Sequence, residues 1–277
     1  TLERWLEAVT PKLETDLWNG RFYRAYASPG NPTNENSHAG MIAGEWYSRM
    51  LTGRSVLPDA RLASCCEALM QLNCGDQFVV PADEAAPDGR LGSPYGWLPY
   101  VEAFLLAPCA VVGHGQVLAV WRRMIETMQG GGKRPCDTRL MYLPPSGAPS
   151  WGANYMTAPA SWLVYDALCD FTCLPNEQVL RLNPQWRGRF PLVHPRFWAS
   201  ADCDGEVCSL NVVEAFGAPV TIRWIELPEE ADLAHTPLSA TGERASNGHY
   251  VRHGIDPVAL GADTQLAWRI EAGAVEP

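Results

Sequence analysis

The sequence predicts a mainly α protein with a C-terminal β domain: half of a toroid of α-hairpins, followed by a small antiparallel β-sandwich. Three observations carry this expectation. Apolar residues recur at helical spacing from the start to about residue 172. Long and short connections alternate between the helices. From about residue 199 the apolar period changes to two. The expected layout is a helical portion over 1–182, a Pro-containing linker over 183–198 and the β-sandwich over 199–277.

Taken in order, Leu2, Trp5, Leu6, Val9 and Leu13 line one face of a first helix, with Pro11 predicting a kink or a division into two. A second helix is expected over 38–51 with Met41, Ile42, Trp46 and Met50. A third starts at Pro58, turns Leu62, Cys65, Cys66, Leu69 and Leu72 inward and stops by Gly75. The fourth, over 95–112, is apolar nearly all round and so reads as buried. The fifth covers 116–128 and halts at Gly130-Gly131-Gly132; the sixth covers 155–171. Trp5, Trp18, Trp46 and Trp162 lie on helical faces and read as core. The connections 19–37, 75–94 and 129–154 are long, and loops of that length are uncommon unless they are functional. Placed at alternate junctions, they would emerge at one end of a helical array and wall a pocket. An ordinary helical bundle with large surface loops is the plainer alternative. Beyond the linker, Val220, Ile222 and Trp224, and again Leu266, Trp268 and Ile270, alternate with outward residues as strands do.

Composition excludes several classes. Of the 277 residues 47% are hydrophobic and 19% charged, which suits a folded core. Lys+Arg 21 against Asp+Glu 31 leaves −10, so nothing favours nucleic acid or an anionic membrane. No apolar run reaches the ~20 residues of a membrane span. The nine cysteines show no metal-type pairing; free buried thiols in a reducing compartment are expected, with Cys203 and Cys208 able to bridge across a turn. His249 and His253 fall in a β region, unsuited to a helical zinc motif. No metal and no cofactor are expected. The chain opens at Thr1 inside an amphipathic pattern without a signal peptide. It therefore reads as a cytoplasmic subunit or processed half, completed by a partner chain.

Two residue classes suggest sugar chemistry. Glycoside hydrolysis generally needs two carboxylates across the scissile bond. Glu35 sits in the polar run Asn34 to His38, Glu102 is embedded in an apolar helix, and Asp137 lies between Arg134 and Arg139. Each also has a structural reading: a loop beside a helix cap, a buried ion pair and a loop brace. Trp is frequent, at 11, and Tyr95, Trp97, Trp151 and Tyr155 fall at long-loop ends, where rings can stack on sugar C–H faces. Asn36, His38 and Asn154 are placed to bond hydroxyls.

Several segments, in order, resemble the C-terminal half of the catalytic domain of glycoside hydrolase family 116, which includes non-lysosomal glucosylceramidase and bacterial β-glucosidases. They are Leu17-Trp18-Asn19-Gly20-Arg21-Phe22-Tyr23, Ala43-Gly44-Glu45-Trp46, the helix Glu67 to Asn73 ending in Leu-Asn, Ser93 to Trp97, and Tyr155 to Trp162. The resemblance covers about residues 10–170 and implies an (α/α)6 toroid that binds and hydrolyses a glycoside. The family's nucleophile and general acid/base lie upstream of these segments, so neither maps onto a residue here. Thr157 stands where the family has an arginine, and Tyr95 where it has a glutamate. A lyase or isomerase on the same toroid, or a non-catalytic carbohydrate-binding or scaffold subunit, are the alternatives.

Overall fold

The computed structural model describes residues 2–31, 35–52, 55–96, 100–131, 139–152, 160–184, 186–204, 207–228, 240–247 and 250–269. The chain divides into two compact units, Thr1–Leu51 with Ser55–Ala167, and Leu168–Pro277 with Thr52–Arg54.

In the first unit, helix α1 covers Leu2–Lys12 and widens into a π-helical turn at Leu13–Leu17, just past Pro11, which gives the helix no N–H to bond. Trp5 and Val9 of its apolar face stay in solvent, Trp5 75% exposed. Periodicity marks a face that a partner can bury without supplying the partner. Helices α2 (Ala43–Thr52), α3 (Asp59–Leu72), α4 (Tyr100–Val111), α5 (Val117–Gly131) and α6 (Ser161–Cys169) follow. The five inward residues expected on α3 are all buried, as are Ala103, Leu105, Leu106 and Cys109 on α4. Trp46 is core, whereas Trp162 is exposed, standing on the outer side of α6 against Tyr165.

The long connections are not bare coil. Strand β1 (Ser37–His38) pairs antiparallel with β2 (Glu84–Ala85). Strand β3 (Tyr142–Leu143) pairs with β4 (Ala148–Pro149).

In the second unit nine strands make two sheets. They are β5 (Thr172–Leu174), β6 (Val179–Arg181), β7 (Gly188–His194), β8 (Phe197–Cys203), β9 (Val207–Ala215), β10 (Val220–Pro228), β11 (Ala240–Asn247), β12 (Tyr250–Leu260) and β13 (Gln265–Arg269). One sheet runs β11-β12-β10-β6-β5, the other β13-β9-β8-β7. Pairing is antiparallel except between β6 and β10, which run parallel. The stretch 183–198, expected as a linker, contains β7. Pro191 is tolerated there because β7 is an edge strand. A charged cluster underlies β5 and β6. Buried Arg181 pairs with Asp170 at 3.0 Å and Glu226 at 2.9 Å, and lies 4.0 Å over the Tyr250 ring. The Tyr250 hydroxyl donates to Asp170, and Arg252 bonds the other side of Glu226.

Among the described residues six helices and thirteen strands, 31% helix and 33% strand, make this a mixed α and β chain with a β-rich part. They overturn the mainly α half-toroid. Two physical causes account for the error. Strand pairing inside the long loops is set by distant partners that no local period reveals. Short apolar runs such as 172–174 and 179–181 also read equally as helix or strand. Free thiols were the general expectation, with a bridge between Cys203 and Cys208 left open, and these two are bonded to each other. Cys65, Cys66, Cys74, Cys109 and Cys169 are buried and form no disulfide.

Candidate functional site

The three long connections of the first unit are hydrogen-bonded to one another, and this junction gathers most of the described candidate residues. The first connection starts with a tight turn. Asn19 Oδ1 accepts from the Arg21 and Phe22 N–H groups at 3.0 and 2.9 Å, Gly20 takes φ +95°, and Trp18 bridges Tyr23. The rings of Trp18 and Tyr23 lie 5.0 Å apart, with Arg61 stacked 4.5 Å over the indole. Burial, then the bond it donates to Glu14, pushes the Tyr23 phenol up to about 12. The turn presents the Asn19 amide to Glu35 at 3.4 Å, and Arg24 pairs with Glu35 at 2.7 Å.

From Glu35 the chain enters β1. Buried Asn36 donates from Nδ2 to Glu84 Oε1 at 2.8 Å. His38, the register partner of Glu84, accepts the Gly40 N–H on Nδ1 at 3.1 Å. That bond leaves the neutral ring's proton on Nε2, which faces Asp83 Oδ1 at 3.7 Å. Beneath them Asn73, the C-cap of α3 and fully buried, ties the first two connections together. Its Oδ1 accepts from Ser37 Oγ at 2.5 Å, and its Nδ2 donates to Ala82 O at 2.9 Å. Gly92 closes over Glu84, its N–H bonding Glu84 O at 2.8 Å. A Cβ on Gly92 would stand 2.9 Å from Asn36 Nδ2, so the Asn36–Glu84 pair leaves room only for glycine.

The second connection joins the third through reciprocal 2.9 Å bonds between Gly96 and Tyr142. One strand further on, Met141 N–H bonds Trp151 O at 3.1 Å. Gly152 takes φ +82° with Leu140 packed where its side chain would be, which fixes the backbone beside Trp151. Tyr95 and Trp151 therefore stand on neighbouring segments, 37% and 59% exposed. The junction offers carboxylates, an imidazole, an amide and two ring edges. An ionised carboxylate has about four lone-pair sites, so Glu84 can serve Asn36 and still accept a hydroxyl.

Glu35, Asn36, His38, Tyr95 and Trp151 thus all lie on the hydrogen-bonded segments of this junction. Glu35 is half exposed and held by Arg24 and Asn19, an arrangement that positions it as a brace of this loop. Trp97, Asp137, Asn154 and Tyr155 lie outside the described residues, as does the side chain of Glu102 on α4. Among the described residues no group of three or more His, Cys, Asp or Glu is placed to hold a metal, and no helix is long and apolar enough to cross a membrane.

Comparison with known proteins adds little to this geometry. No protein-family model and no curated protein sequence matches the chain. Among solved structures, an alpha-L-rhamnosidase from Dictyoglumus thermophilum superposes over 98% of the chain, with 7% identity and a TM-score of 0.49. The chain spans only 28% of that protein's length. A score at that level carries no argument about activity. None of these comparisons shows family 116.

Sequence reasoning missed Asp83, Glu84, Asn73 and Gly92. A signal was present for the first two, since adjacent acids in the long connection 75–94 meet the criterion that singled out Glu35. Asn73 reads only as the last residue of a helix, and nothing in the spacing links it to Ser37. Also missed was Glu45. Its burial is outweighed by bonds from Ser55, Arg49 and the Leu57 and Val56 N–H groups, which together hold its carboxyl below the usual range.

Proposed function

We propose that this chain is part of a carbohydrate-active enzyme acting on a glycosidic bond, and that the loop junction forms its sugar-facing wall. Asn36, His38 and Glu84 take hydroxyls there, while Tyr95 and Trp151 offer ring faces, with Trp97, Asn154 and Tyr155 extending the wall. The catalytic carboxylate pair comes from a partner chain or a further segment, and the hydrolysis needs no cofactor. One observation supports this reading above the others. The three long connections, far apart in the sequence, are tied by Asn36–Glu84 and Gly96–Tyr142 into one polar junction edged by exposed aromatics, and two of the segments that resemble family 116 reach it, through Asn19 and Gly96.

The test uses the protein with any chain that co-purifies with it, titrated with 4-nitrophenyl β-D-glucoside. Trp151→Ala is expected to weaken binding about tenfold, the ~1.4 kcal/mol scale of a lost ring contact. Its thermal midpoint should stay within about 2 °C, because an exposed side chain contributes little to the core. Equal losses of stability and binding would reassign Trp151 to the core. Saturable binding without hydrolysis by any co-purified assembly would make the chain a non-catalytic sugar-binding subunit.

A further inference from the structure

The sheet β13-β9-β8-β7 buries one face and turns the other to solvent. Along β8 the burial alternates strictly, so Trp198, Ser200 and Asp202 point outward while Ala199 and Ala201 are core. Register places outward residues of the neighbouring strands beside them. Asp202 lies between Arg189 of β7 and Ser209 of β9, and Ser200 is opposite Asn211, which is opposite Gln265 of β13. A concavity of about 300 Å³ opens over these six residues. That volume is at the lower end of the ~300–1,000 Å³ typical of small-molecule sites.

Three properties decide what fits. The charges of Arg189 and Asp202 oppose each other, so the floor favours neither anion nor cation. Among the described residues the side chains of Asp202, Asn211 and Gln265 have no hydrogen-bond partner, leaving a carboxylate and two primary amides to bond a ligand. Acceptors and donors interleaved at strand spacing suit adjacent hydroxyl groups. At one end of the same face stands Trp198, 51% exposed and held edge-on by Phe216 at 5.2 Å, a flat surface for the C–H face of a pyranose.

We propose that the outward face of this sheet binds a neutral saccharide, its hydroxyls gripped by Asp202, Asn211 and Gln265 and one ring laid on Trp198. The site lies wholly within the second unit and stands whatever reaction the loop junction serves. It would hold a chain of sugars to the protein independently of the bond being attacked.

Calorimetric titration of the full chain with cellohexaose, xylohexaose and mannohexaose, with hexagalacturonate as the charged comparator, tests this. Saturable binding of a neutral hexasaccharide is expected. Asn211→Ala combined with Gln265→Ala should weaken it at least tenfold, as should Trp198→Ala, with the thermal midpoint unchanged because these side chains face solvent. Absence of saturable binding for all three neutral sugars overturns the proposal, as does tighter binding of hexagalacturonate or wild-type affinity in the double variant. Trp151→Ala separates the two sites. Loss of hexasaccharide binding in that variant alone would place the ligand at the loop junction and remove this one, whereas its retention supports the sheet face.

Discussion

At the scale of single residues, the junction depends on side chains that never reach its surface. Asn73 satisfies the buried Ser37 hydroxyl and the Ala82 carbonyl with one amide. Asn73→Ala strands both, and each buried polar group left unpaired costs about 1–3 kcal/mol, so a loss of roughly 2–4 kcal/mol in urea unfolding is expected. A loss below about 0.5 kcal/mol would show that the loops hold without it. The surface of the junction was the more legible part. Glu35, Asn36 and His38 announce themselves as a polar run inside a long connection. Their pairing with Glu84 and Asp83 does not, because those acids reach them only through the β1–β2 pairing, between positions 48 residues apart at Asn36 and Glu84. A sequence read for local pattern contains no trace of that distance.

Among the elements, helices were found where a strong period met a core. The inward stripe of α3 is the clearest case, since every residue expected to be buried there is buried. Helix starts were placed too early wherever an aromatic or polar lead-in extended the period, as at Tyr95 before α4 and His38 before α2. The strands within the loops escaped notice because two-residue pairs such as Tyr142–Leu143 with Ala148–Pro149 are too short to display alternation. The β8–β9 hairpin adds an element-level prediction. Cys203 and Cys208 face each other in register and close a loop with a separation of five residues. A loop that short restricts the unfolded chain by about 2 kcal/mol in the chain-entropy account. Cys203→Ala with Cys208→Ala should therefore lower unfolding stability by about 1–2 kcal/mol, and reductant should do the same to the wild type. Stability indifferent to reductant would show that the hairpin is fully specified by its ladder.

For the molecule as a whole, pH acts through two opposed sets of carboxyls. Burial pushes Asp170 up to about 6, against the pull of Arg181 and the Tyr250 hydroxyl, and burial alone does the same to Asp166. The folded state then holds more protons than the unfolded chain between about pH 4 and 6, so stability falls as pH rises through that window. Glu45 works the other way: its depressed carboxyl contributes stability above the ordinary glutamate range, lost as pH falls through its folded value. Urea midpoints measured from pH 4 to 7 should decline, and Asp170→Asn should flatten that decline; an equal slope in both proteins would sink the assignment. The parallel pairing of β6 with β10 has a consequence during synthesis. Arg181 must wait for Glu226, 45 residues downstream, before its sheet can close. At the ~5–20 residues per second of a ribosome that is about 2–9 s, during which the β5–β6 hairpin has left the ribosome with one edge unpaired. The partner strand arrives only after β7, β8 and β9 have emerged. Yield from the cell will thus turn on how fast this stretch is translated, and rare codons between residues 182 and 220 would lengthen the exposure of a sticky edge.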